Sequence, residues 1–199
     1  MKAVIFDFNG TMFFDSDKHE QAWRCYLEQA LAKKSAGRHT NARYTAKITL
    51  ILYVISGAQT SAEEISHRSA EKESLYRDLC LADHAAFHLA DGLPEFLDSL
   101  QERQTPVAIA TTAELANVRF YFEHFGLERW FQLRRVVYQD GSFPGKPNPA
   151  IYWRAAGVVD KRPEECLVFE DSVPEVTAAR QAGCGTPLSA YSRRATIAI

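Results

Sequence analysis

The chain is poor in cysteine, carries almost no net charge and lacks any long apolar run. Its four cysteines, Cys25, Cys80, Cys166 and Cys184, are spread over 199 residues with no C-x-x-C pair and no Cys/His group at zinc-ligand spacing. They read as reduced, structural thiols of a cytoplasmic protein. With 23 Lys and Arg against 25 Asp and Glu, the formal charge is −2, without the concentrated basic face that nucleic-acid binding needs. The longest apolar run with any weight, Ile48 to Ile55, falls far short of the ~20 residues that span a bilayer. Asp7 interrupts the apolar stretch of the N-terminal MKAVIFDFNG, which is unlike a signal peptide. Neither a nucleic-acid partner nor a membrane is expected, and no internal repeat or low-complexity segment is present. What remains, 46% hydrophobic and 24% charged residues, is the composition of a folded globular protein.

Three short apolar runs share one grammar. Ala3-Val4-Ile5-Phe6 is followed by Asp7, Val107-Ala108-Ile109-Ala110 by Thr111-Thr112, and Cys166-Leu167-Val168-Phe169 by Glu170-Asp171-Ser172. Each suits a strand buried on both faces that ends in polar residues. Helical patterns lie between them, at Leu93 to Arg103, Glu114 to His124, Pro149 to Gly157 and Val173 to Ala182, the last stopping at Gly183. Strands alternating with helices imply right-handed βαβ units and a parallel sheet. A weaker strand is expected over Arg135 to Tyr138, and only a doubtful one after Gly183. From about Asp17 to Cys80 the alternation stops and the pattern is all helix: Asp17 to about Lys34, Thr45 to Ile55, and a third helix opened by Ser61 with a capping-box spacing to Glu64. Such an insertion after the first strand is a common way to place a lid over the carboxyl end of a sheet.

Ligands of open α/β sheets bind outside the carboxyl ends of the strands. Asp7, Thr111, Thr112, Glu170 and Asp171 fall there, and Lys146 stands in the proline-rich loop Gly141 to Pro149. Three carboxylates repel one another at close range. One Mg²⁺ and one lysine cancel their charge, and the neutral site then accepts a phosphate dianion. A carboxylate can attack phosphorus to give an aspartyl-phosphate, and Asp7 is the candidate nucleophile. Mg²⁺ is suited to oxygen ligands from one or two carboxylates and a substrate phosphate. Lysine and a threonine hydroxyl would stabilise the equatorial oxygens.

These motifs resemble the haloacid dehalogenase-like superfamily, in particular its branch with a small helical cap, which includes β-phosphoglucomutases and phosphoglycolate phosphatases. The resemblance rests on Asp7-Phe8-Asn9-Gly10-Thr11, Thr111, Gly145-Lys146-Pro147-Asn148-Pro149, and Glu170-Asp171-Ser172 with Ala178-Ala179 and Ala182-Gly183, in that order along nearly the whole chain. His19, Ala22 and Trp23 look like the start of the cap, and Lys72-Glu73 with Tyr76-Arg77 like its final helix. The resemblance implies an α/β fold: a Rossmann-like three-layer core of residues 1–15 and 82–199 with a mainly parallel sheet, and an all-helical cap of residues 16–81. It implies an Mg²⁺-dependent phosphatase or phosphomutase for a small phosphorylated metabolite such as a sugar phosphate. Asp7, the Asn9 backbone carbonyl and Asp171 would hold the metal, with Glu170 acting through water. Asp7, Asn9, Thr111 and Lys146 form the expected catalytic set, and Gly10, Thr112, His19 and Lys72 the expected substrate-binding set. The protein is expected to be a monomer.

The chain departs from the pattern at Asn9. Family members acting on phosphate esters carry an aspartate there, two residues after the nucleophile, which protonates the leaving oxygen and then activates water. Such help is worth ~10²–10⁴ in rate, and an amide cannot give it. A slow phosphatase for esters with good leaving groups, a phosphometabolite-binding or regulatory protein of the same fold, an engineered change in an ordinary enzyme, and deamidation of Asn9-Gly10 all stay open. So does the choice between hydrolase and mutase. Each candidate also has a plainer role: Asp7 as a turn residue, Lys146 as a solvated loop lysine, Thr111 and Thr112 as helix caps, and His19 beside Trp23 as a packing residue.

Overall fold

The computed structural model describes residues 2–32 and 61–189. The chain divides into two compact units, one of Met1–Phe14 with Phe87–Ile199 and the other of Asp15–Ala86.

The first unit is built on a five-stranded parallel sheet in the order β3-β2-β1-β4-β5. Its strands are β1 (Ala3–Phe6), β2 (Val107–Ala110), β3 (Val136–Val137), β4 (Cys166–Glu170) and β5 (Gly185–Ser189). β1 is central, and Val4, Ile5 and Phe6 pair with Val107, Ala108 and Ile109 on one side and with Leu167, Val168 and Phe169 on the other. A strand covered on both faces can be apolar at every position, which is why these runs do not alternate. The pleat still sorts their side chains. Ala3 and Ile5 join Ala108, Val168 and Tyr152 in one core cluster. Phe6 stacks on Phe169 at 5.2 Å and meets Phe131 edge-on at 6.1 Å.

Helices flank these strands. In α3 (Leu93–Glu102), Leu93, Leu97 and Leu100 are buried at helical spacing. α4 (Leu115–Phe125) stops where Gly126 takes a left-handed φ of 60° and its N–H bonds to the Phe122 carbonyl. α5 (Ala150–Val158) buries Ile151, Tyr152, Ala155 and Ala156. α6 (Val173–Gln181) buries only the small residues Ala178 and Ala179. The expected weak strand shortens to β3. β5, doubtful from sequence, closes the sheet at its edge. Its register against β4 shifts between Leu167 and Phe169, a place where Pro187 can sit in a strand.

The second unit holds α1 (Ser16–Ala32) and α2 (Ala62–Ala82). The helix expected over Thr45 to Ile55 lies outside the described residues. α1 and α2 bury Ala22 and Tyr26 of the first and Tyr76 and Cys80 of the second. Ser61 Oγ accepts the Glu64 N–H at 3.1 Å and caps α2. The Glu64 carboxylate takes the Arg68 guanidinium at 2.6 Å, one turn on. The four cysteines are free thiols. Among the described residues, no helix is long and apolar enough to cross a membrane.

Candidate active site

The carboxyl ends of β1, β2 and β4 bring the candidate residues of the first unit together. Asp7 leaves β1 with its N–H on the Phe169 carbonyl at 3.0 Å, and its side chain is buried. The chain then turns sharply: the Phe8 carbonyl accepts from the N–H of Met12 at 2.8 Å, and the Gly10 N–H bonds the Phe13 carbonyl at 2.7 Å. Thr111, also buried, fixes its N–H on the Val137 carbonyl at 2.9 Å. Its hydroxyl accepts from the Ala113 N–H at 3.1 Å and lies 3.4 Å from Oδ1 of Asn9. Thr112 is exposed. The Asn9 amide Nδ2 donates to the Tyr121 hydroxyl at 2.8 Å.

Lys146 reaches the ends of two adjacent strands at once. Its Nζ lies 2.7 Å from Oδ1 of Asp7, 2.7 Å from Oε1 of Glu170 and 3.2 Å from Oε1 of Glu175. The buried Tyr152 hydroxyl also donates to Oε1 of Glu170, while Oε2 of Glu170 is buried without a hydrogen-bond partner. Ser172 donates to Oε2 of Glu175 at 2.7 Å. One carboxylate oxygen each from Asp7, Glu170, Asp171 and Glu175 lies within 4.8 Å of the others.

Packing four carboxylates around one ammonium shifts their acidity. Burial pushes Asp7 up to about 7 against the pull of Lys146. Burial and the Asp7 charge push Glu170 up to about 9. Burial and Glu175 push Asp171 up to about 6. Burial works against the Lys146 ammonium, but Asp7 and Glu170 outweigh it and hold the lysine well above its ordinary range. Burial would raise Glu175 as well, but the Lys146 charge and the Ser172 hydroxyl hold it below the usual carboxylate range. The set fits a hard divalent cation. It offers only oxygen donors, more negative than positive groups, and a buried orphan oxygen on Glu170 that such an ion would satisfy.

His19 and Lys72 lie in the second unit and are brought together there. Lys72 Nζ is 3.2 Å from Nδ1 of His19 and sits over the rings of Trp23 and Tyr76 at 5.2 and 5.8 Å. It also pairs with Glu73. His19 stacks on Tyr76 at 3.9 Å with Nε2 3.4 Å from Asp15, and the Tyr76 hydroxyl donates to the same carboxylate.

Three residues of the site escape sequence reasoning: Glu175, Tyr152 and Tyr121. Glu175 in the first turn of α6 looks like a helix-dipole partner, and the two tyrosines look like core aromatics. A tyrosine six residues after Lys146, in the first turn of the following helix, is the available signal for Tyr152.

A buried lysine thus bridges carboxylates at the ends of two adjacent parallel strands. The comparisons make the class specific. Residues 1–183 match the family model of the haloacid dehalogenase-like hydrolases, and the chain belongs to that family. It is 25% identical to validoxylamine A 7'-phosphate phosphatase of Streptomyces hygroscopicus subsp. limoneus over 183 residues, 92% of this chain and 82% of that protein. It is 26% identical to fructose-1-phosphate phosphatase YqaB of Escherichia coli over 183 residues, 91% of this chain and 92% of that one. Among solved structures it resembles a family IA, variant 3 hydrolase of Entamoeba histolytica, with a TM-score of 0.84 and 28% identity over 98% of this chain and 86% of that chain.

Proposed function

We propose that the protein is an Mg²⁺-dependent phosphatase or phosphomutase for a small phosphorylated metabolite such as a sugar phosphate, working through an aspartyl-phosphate at Asp7 and slowed by Asn9. The observation that carries this reading is the Lys146 ammonium held between Asp7 and Glu170 at 2.7 Å from each. A positive charge fixed beside Asp7 supports its reading as the nucleophile.

Asp7, Asp171 and the Asn9 carbonyl would hold the cation, with Glu170 behind them. The cation supplies charge neutralisation at the phosphoryl oxygens. An Oδ of Asp7 attacks phosphorus, the bond from phosphorus to the ester oxygen breaks, and the departing oxygen takes a proton from solvent or, in a weakly basic leaving group, departs as the anion. Lys146 and the Thr111 hydroxyl hold equatorial oxygens through the transfer. Water, or a second hydroxyl in a mutase, then takes the phosphoryl group from Asp7. Gly10 and Thr112 are the proposed contacts of the phosphate end. The Lys72 ammonium beside His19 suits a second anionic or hydroxyl group of the substrate.

A second reading is favoured by one observation. The position 9 amide lies hydrogen-bonded to Tyr121 and beside Thr111, and it has no proton to exchange. On that reading the protein recognises a phosphometabolite and turns it over little. Release of phosphate from p-nitrophenyl phosphate with Mg²⁺, by the wild type, Asn9→Asp and Asp7→Ala, followed by a panel of phosphometabolites, separates the two. Slow wild-type turnover abolished by Asp7→Ala supports the enzyme. Wild-type release that survives Asp7→Ala overturns the nucleophile assignment.

A further inference from the structure

The Lys146 ammonium has three N–H donors, and the structure directs them at three carboxylates: Asp7, Glu170 and Glu175. A phosphate oxygen can reach this lysine only when one of them gives way. They are not equivalent. The side chains of Asp7 and Glu170 are 4% and 0% exposed, each is 2.7 Å from Nζ, and their residues end neighbouring strands β1 and β4. Glu175 is 20% exposed, lies at 3.2 Å, and stands on the first turn of α6, where a change of rotamer releases it. Ser172 donates a hydrogen bond of 2.7 Å to its other oxygen, and the neighbouring carboxyl groups of Asp171 and Glu170 also interact with it.

We propose that Glu175 is an internal occupant of the phosphate subsite at Lys146, a carboxylate that takes up the lysine's third donor and that an incoming phosphate displaces. The proposal rests on the reading of Lys146 as the phosphate-binding lysine. Charge balance points the same way. With Asp7, Glu170, Asp171 and Glu175 ionised, one lysine and one divalent cation leave the site at −1. With Glu175 turned away the sum is zero, and a dianion meets no net repulsion. Glu175 would thereby weaken retention of inorganic phosphate and favour ligands whose remaining groups contribute binding of their own.

The test is calorimetric titration of inorganic phosphate into the full chain at an Mg²⁺ concentration that a separate metal titration shows to be saturating for each variant. Wild type, Glu175→Gln, Glu175→Ala, Ser172→Ala and Lys146→Ala are compared, each first shown to melt cooperatively. Both Glu175 variants are expected to lower the Kd for phosphate about tenfold, the change that ~1.4 kcal/mol produces. Ser172→Ala is expected to act in the same direction and by less, and Lys146→Ala to abolish binding. Unchanged or weaker phosphate binding in the Glu175 variants, with Lys146→Ala still abolishing it, overturns the role of Glu175 and leaves that of Lys146 standing. A Glu175→Gln protein that can no longer be saturated with Mg²⁺ overturns the proposal by making Glu175 a metal ligand. Absence of phosphate binding in every protein overturns both readings.

Discussion

A Cβ placed on Gly10 would lie 2.1 Å from Oδ2 of Asp171, and Gly10 itself holds a left-handed φ of +84°. The turn after β1 and the carboxylate after β4 are thus fitted to each other, and only glycine satisfies both the backbone and the space. Gly10→Ala meets a conformational cost of ~1–2 kcal/mol and drives the Asp171 carboxylate out of the cluster. Thermal melts with and without Mg²⁺ check this. The variant is expected to melt lower than wild type and to lose most of the Mg²⁺-induced rise, and a full rise would show that Asp171 is not needed for the metal.

Tyr152 supports the other half of motif Glu170-Asp171. Its hydroxyl and Lys146 both serve Oε1 of a glutamate whose Oε2 is already without a partner. Tyr152→Phe keeps the ring in the core and removes one of the two donors. Leaving a buried acceptor less satisfied costs ~1–3 kcal/mol, so urea unfolding of the metal-free variant should show a loss of that size with an unchanged m-value. A loss within error of zero would mean that Glu170 does not depend on Tyr152.

The elements that sequence reasoning locates well are those whose local pattern and burial agree. Ala3–Phe6, Val107–Ala110 and Cys166–Phe169 are apolar because both faces of the sheet are covered, and a polar residue stands at the carboxyl end of each run. β5 is hard to read because Gly185 and Pro187 oppose strand formation locally, and only pairing with β4 and the shift in register accommodate them. Glu175 and Tyr152 are missed for a related reason. Each sits on a helix where its residue type is ordinary, and it is the packing of α5 against β1 and β2, and of α6 against β4 and β5, that brings it to Lys146 and Glu170. At the capping box expected at Ser61 and Glu64, the Ser61 hydroxyl accepts the Glu64 N–H, and the Glu64 carboxylate pairs with Arg68 one turn away.

Asn9 lies between two hydroxyl groups, those of Tyr121 and Thr111. An aspartate in its place would be flanked by the same groups acting as donors, which favours the ionised carboxylate. Asn9→Asp is expected to raise kcat on p-nitrophenyl phosphate by ~10²-fold or more. Adding Tyr121→Phe removes one donor from the charged form, so the new carboxyl group should titrate at higher pH. The pH–rate profile of the double variant against Asn9→Asp reads this as an upward move of the acidic limb. If Asn9→Asp gains no activity, the account of position 9 is wrong.

Asp7, Glu170 and Asp171 titrate at about 7, 9 and 6 in the folded protein, each above its ordinary value of 3.8 or 4.5. A carboxyl group raised in this way binds more protons folded than unfolded, and stability falls as pH rises from the unfolded value through the folded one. Metal-free protein should therefore lose stability between about pH 4 and 9. Glu175, Glu165, Asp83 and Asp140 are shifted down and act in the opposite sense, but their contributions are lost below their ordinary range and leave the upper window to the site. A divalent cation favours the ionised carboxylates, so its stabilising effect should grow over the same interval. Melting temperatures in EDTA are expected to fall from pH 5 to pH 8, and those in Mg²⁺ to fall less or rise. A metal-free melting temperature that climbs across this interval would place the strain of the four carboxylates elsewhere, with Lys146 alone sufficient to hold them ionised.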